Sequence, residues 1–175
     1  PEELPSALEF IRLGVEHIWT GFDHLLFLFA LLVVCTSFRS TVAIITCFTL
    51  AHSLTLALAT LDVVNVPGRL VEPLIAASIV FVGVENLVRR GAEPPSRLVL
   101  TFAFGLVHGF GFSFALKESL QFAGPHLAVS LLTFNLGVEI GQVLVLAIAI
   151  PFLSWVFTRV VAERVGIIIV SAFVG

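Results

Sequence analysis

Residues 17–29 read HIWTGFDHLLFLF, two histidines and an aspartate at the mouth of an apolar run. Ionisable groups are costly in hydrocarbon, so His17, Asp23 and His24 mark a functional position if hydrocarbon surrounds them. Composition says that it does. Of 175 residues, 58% are hydrophobic and 12% charged, with a mean hydropathy of +1.11. A soluble domain carries roughly 25% charged residues, and half that share cannot cover a water-exposed surface. The sequence predicts an all-α, polytopic transmembrane helix bundle forming a single domain, residues 1–175, in a lipid bilayer. A net charge of −3 without a basic patch gives no footing for nucleic-acid binding. Cys35 and Cys47 lie in apolar runs without CxxC spacing and are read as small core residues, outside any disulfide framework.

Outward from that stretch, the chain divides into apolar segments. A crossing takes about 20 residues, and candidates stand at 20–37, 41–60, 70–88, 98–116 and 127–150, with a sixth beginning near 165, making about six spans. Residues 6–19, SALEFIRLGVEHIW, read as an amphipathic lead-in helix with Ser6 as N-cap, either lying at the interface or running on into the first span. Turn chemistry separates the spans at NVPGR (65–69), RRGAEPPSR (89–97) and FAGPH (122–126). The chain begins at Pro1, and a removed signal peptide is expected before it. The final run VGIIIVSAFVG (165–175) is too short to span and is expected to continue. With the N-terminus outside, the inner loops hold Arg39, Arg89, Arg90, Arg97, Arg159 and Arg164, against Arg12, Arg69 and Lys117 outside. This excess inside predicts a multi-pass protein of the cytoplasmic membrane, N-terminus out.

The polar groups inside the spans share a depth. At a rise of about 1.5 Å per residue, His24 lies about 6 Å, His52 and His108 about 12 Å, and Glu139 about 18 Å below the outer ends of their spans. His17 stands above His24, and Glu72 at the outer end of its span; Glu85 and Asn86 lie near the inner side. Helical spacing sorts them by face: His17 and His24 are seven apart with Asp23 beside them, Thr49, His52 and Ser53 share a face, and Asn135, Glu139 and Gln142 form an i, i+4, i+7 row. Gly105–Gly109 and Gly137–Gly141 fit the spacing that lets spans approach closely. Plainer roles suit other residues. His126, beside Gly-Pro, reads as a solvated loop residue, Thr49 and Ser53 as hydroxyls bonding back to their own helix, and the 17 phenylalanines as lipid-facing or core filler. Glu85 and Asn86, near Arg89 and Arg90, read equally as an inner-rim ionic cluster.

Asp23, Glu72 and Glu139 have no Lys or Arg in the outer halves of the spans to pair with. Protonation or a bound cation remains. Imidazole and carboxylate together suit a divalent transition metal ion, nickel, cobalt or zinc. The lack of Met and the distance of both cysteines argue against copper(I), and the mixed set against magnesium or calcium.

HIWTGFDH (17–24), with AHSLTL (51–56), VEPLIAASIVFVGVEN (71–86), FGLVHGFGF (104–112) and FNLGVEIGQ (134–142), resembles the HupE/UreJ family over nearly the whole chain. The resemblance implies a membrane protein of six to seven spans associated with hydrogenase and urease accessory functions, regarded as a secondary nickel or cobalt permease. It further implies that His17, Asp23, His24 and His108 take part in metal passage. The second element here carries one histidine, where nickel permeases of the family have an FHGxxHG-like pattern.

The sequence thus predicts a metal site of His17, Asp23, His24, His52, His108, Glu139 and Glu72, supported by Ser53, Asn135, Gln142, Glu85 and Asn86. In the permease reading, His17 and Asp23 capture the ion, His24, His52 and His108 replace its water, Glu139 and Glu72 neutralise it, and Glu85 with Asn86 form the exit. The alternative is an intramembrane zinc hydrolase with His24, His52 and His108 on zinc, Asp23 or Glu139 as base and Ser53 orienting. A metal-sensing or structural role in a larger membrane complex is the third reading. A homo-oligomer is compatible with each.

Overall fold

A computed structural model describes residues 6–35, 37–89, 96–112, 127–159 and 171–174, with side chains described to Trp155 in the long last helix. All described secondary structure is helical: α1 (Ala7–Thr20), α2 (Phe22–Leu32), α3 (Phe38–Thr60), α4 (Gly68–Val88), α5 (Arg97–Gly111) and α6 (Leu127–Arg159), with a short helical piece at 171–174. Helix starts follow their capping chemistry. Ser6 and Glu9 form a reciprocal capping box at α1. Ser37 accepts the Ser40 amide at 3.2 Å to open α3. After α3, Asp62 takes a φ of 56°, the left-handed region that a short polar side chain tolerates, and the chain turns toward α4.

Three helices, α3, α4 and α6, are long and apolar enough to cross a membrane. The predicted first span is different from its sequence reading. The chain breaks at Gly21 and α2 leaves α1 at 70°, so that the two together make at most one bent crossing. At 11 residues, α2 alone rises about 16 Å, half a hydrocarbon core. The lead-in segment does not run straight on into α2; α1 packs along α6. α5 has 15 described residues, and the rest of the predicted span 98–116, the loop holding Lys117 and His126, most of RRGAEPPSR and nearly all of the sixth segment lie outside the described residues. The described residues thus hold three or four candidate crossings, with the predicted spans 98–116 and from 165 onward only partly among them.

Two glycine-mediated contacts set the bundle. A Cβ on Gly14 of α1 would strike the Phe134 carbonyl of α6, and one on Gly137 the Ile11 carbonyl of α1. On the other side, a Cβ on Gly105 would meet the Phe48 carbonyl, and one on Gly109 the His52 carbonyl and Thr55 hydroxyl of α3. Both predicted GxxxG pairs therefore face a neighbouring backbone, where without a hydrophobic drive close contact itself holds helices together. Outer faces are apolar: Leu50, Leu54, Leu74, Phe81, Leu132 and Val143 are all exposed, as lipid-facing residues must be. Gly109→Val is expected to push α5 off α3 and destabilise the protein by at least about 1–3 kcal/mol, the cost of overpacking. Gly111→Ala, whose Cβ would meet chiefly the movable end of Ile75, should be close to neutral. Thermal unfolding of the detergent-purified variants measures the difference, and equal midpoints would refute the close-packing account.

Candidate metal site

The same backbone contacts deliver the histidines. Gly14 holds α1 against α6, and His17, almost one turn further on, comes over Phe134 with ring centroids 5.8 Å apart. His108 lies between Gly105 and Gly109, so the glycines that seat α5 on α3 bring it toward His52. The break at Gly21 turns α2 so that the His24 ring meets the His17 ring edge-on at 4.5 Å. Four helices thus contribute one imidazole each.

His24 is the hub of this group, with ring centroids 4.5 Å from His17, 5.7 Å from His52 and 5.2 Å from His108. His17 and His52 are 5.8 Å apart. One donor nitrogen each from His17, His24 and His52 falls within 4.8 Å of the others. A tetrahedral ion with bonds of about 2.0–2.1 Å spaces its donors about 3.4 Å apart, so small ring rotations would close the three on an ion. His52 and His108 are fully buried and His24 is 8% exposed. Aromatic rings wall the group: Phe27 and Phe48 lie 4.7 and 5.4 Å from His108, and Phe112, 3.9 Å from His17, stacks on Phe134.

Hydrogen bonding leaves this cluster open. His17 Nε2, His24 Nε2, both nitrogens of His52 and His108 Nδ1 are buried without a well-formed partner. A buried polar group left unpaired costs about 1–3 kcal/mol, so five together are poorly explained by packing and well explained by a ligand. Asn135 approaches His52 from α6 while its amide donates to the Leu131 carbonyl at 2.8 Å. Its oxygen is another buried unpaired atom.

The predicted carboxylates are elsewhere. Among the described residues no Asp or Glu joins the three-histidine group. Asp23 and Glu72 are exposed. Glu139 is half-buried, accepts from the Thr46 hydroxyl at 3.4 Å and lines an apolar groove of about 300 Å³ between α3 and α6, with Phe38, Val42, Val143 and Pro151 among its walls. Gln142 accepts from Thr49 at 2.8 Å, and Ser53 donates to the Thr49 carbonyl at 2.6 Å. Glu85 and Asn86 belong to an ionic cluster at the far end of α4. Arg97 donates to Asn86 Oδ1 at 2.7 Å and lies 3.5 Å from Glu85, Arg89 pairs with Glu85 at 3.2 Å, and Asn86 donates to the Ala30 carbonyl at 2.7 Å. The Cys35 thiol donates to the Leu31 carbonyl at 3.3 Å and the Cys47 thiol to the Leu98 carbonyl at 3.4 Å.

Two features escaped the sequence reading. Ser78 of α4 contacts His108 Nε2 at 3.0 Å, and a lone serine in an apolar helix gives no signal of that. Phe27, Phe48, Phe112 and Phe134 wall the site, yet among 17 phenylalanines nothing local distinguishes them.

The family profile described as HupE / UreJ protein matches residues 2–175. No curated protein and no solved structure is similar enough to match.

Proposed function

Because the chain belongs to the HupE/UreJ family, which is associated with nickel and cobalt accessory functions and transport, we propose that it passes a divalent transition metal ion, nickel, cobalt or zinc, across the cytoplasmic membrane. The observation that carries this reading is the meeting of four imidazoles from four helices, with five buried nitrogens unpaired, in the middle of an apolar bundle. Imidazole suits these ions, and it replaces part of their hydration shell without the tight grip of thiolate. Release matters as much as capture for a conducted ion. Asp23, exposed and next to His24 in sequence, concentrates cations at the entrance. Glu72 and Glu139 offset charge outside the imidazole group. A role for Glu85 and Asn86 as exit ligands requires Arg97 to let go of both.

The zinc-hydrolase reading draws support from the three-histidine group itself. It draws less from the surroundings, because Asp23 is exposed, Glu139 faces the α3–α6 groove and the Ser53 hydroxyl is taken up by Thr49. Purified protein loaded separately with Ni²⁺, Co²⁺ and Zn²⁺, followed by exchange and X-ray absorption, separates the two. The permease is expected to hold each ion loosely on nitrogen donors and to exchange it. One tight zinc per chain with three nitrogens and a water would overturn the permease in favour of the hydrolase.

A further inference from the structure

Ser78 has one hydroxyl hydrogen to give. It lies 2.6 Å from the Ile75 carbonyl, an oxygen that can only accept, and 3.0 Å from Nε2 of His108. With its hydrogen committed to the carbonyl, the Ser78 oxygen meets His108 as an acceptor. The hydrogen of the neutral imidazole then sits on Nε2, and Nδ1 keeps a bare lone pair. Nδ1 of His108 is also the nitrogen that is buried and unpaired, in a ring 5.2 Å from that of His24. Ser78 is 2% exposed, so water does not compete for this arrangement.

We infer that His108 is the fourth nitrogen ligand of the cluster, binding through Nδ1, and that Ser78 is the positioning residue that fixes its tautomer. The inference rests on the reading that the cluster takes a metal ion. It extends that reading by naming the donor atom and a residue of α4 that acts through it. A metal-bound histidine commonly has its tautomer set by what its other nitrogen donates to, and here the Ile75 carbonyl sets it at one remove. Four nitrogen donors also make a closed tetrahedral set, unlike the three-plus-water arrangement of catalytic zinc.

The test begins without metal. Full-length protein in micelles, labelled with ¹⁵N in histidine, reports each ring's tautomer through long-range proton–nitrogen correlations, and His108 is identified by its loss in His108→Gln. Wild type should show His108 as the Nε2–H form. Ser78→Ala should show mixed tautomers, and Ser78→Thr, which keeps the hydroxyl, should restore the wild-type pattern. Titration with Co²⁺ alone should then show Ser78→Ala weakened about 10–100-fold, the usual effect of losing such a support, with Ser78→Thr within a few-fold of wild type. An Nδ1–H form in wild type, or unchanged tautomer and affinity in Ser78→Ala, overturns the inference. If wild type binds no Co²⁺, Ni²⁺ or Zn²⁺ while its His108 shows the expected tautomer, the metal reading falls and takes the ligand assignment with it, leaving the Ser78 contact as a structural one.

Discussion

His24→Ala is expected to reduce metal uptake to background and to weaken Co²⁺ affinity by more than about 100-fold, since losing even an indirect support of a metal ligand costs about 10–100-fold. His24 is the histidine whose ring lies within 6 Å of each of the other three, and with His17 and His52 it makes the group whose donor nitrogens lie closest. Its removal therefore separates the remaining imidazoles as well as deleting a donor. His108→Ala should be milder, because His17, His24 and His52 still hold one donor nitrogen each within 4.8 Å of the others. Uptake in cells, combined with Co²⁺ titration of the purified variants, measures both. A His24→Ala protein that inserts normally and transports like wild type would refute the site.

The second large effect is on stability. Arg97 is 1% exposed and holds together the ends of three helices: it donates to Asn86, pairs with Glu85 and, through Asn86, secures the Ala30 carbonyl. Arg97→Ala strands a buried amide oxygen and leaves Glu85, whose side chain is 11% exposed, with Arg89 alone. Removing one partner of a buried ionic group costs about 3–5 kcal/mol. Arg97→Lys should recover part of this, because a single ammonium replaces a fork that reaches two acceptors. Reversible unfolding in mixed detergent micelles gives the difference. A loss under about 1 kcal/mol, the range of an exposed pair, would show that the cluster is dispensable.

The four histidines are legible in the sequence because an imidazole in an apolar run is conspicuous, and depth follows from counting residues at a fixed rise. Direction around the helix is harder. The sequence sets Asp23 beside His17 and His24, yet consecutive helical residues point about 100° apart, and Asp23 is exposed where His24 is buried. Glu139 sits at a plausible depth but turns to the groove against Thr46. The bend at Gly21 was hidden for a related reason. TGFD looks like a turn only if something draws α1 aside, and what does so is α6, more than 100 residues away, through Gly14 and Gly137. The glycine pairs were legible as spacing, whereas which backbone each one faces was not.

That bend has a mechanical consequence. His17 is carried by α1, which is seated on α6, while His24, His52 and His108 are carried by α2, α3 and α5 beyond the break. Of the four imidazoles, one therefore stands before the break and three after it. An ion bound by all four would therefore tie α1 to α2 across the break at Gly21. On the permease reading, a change of angle at Gly21 would alter how many of the four imidazoles reach one ion.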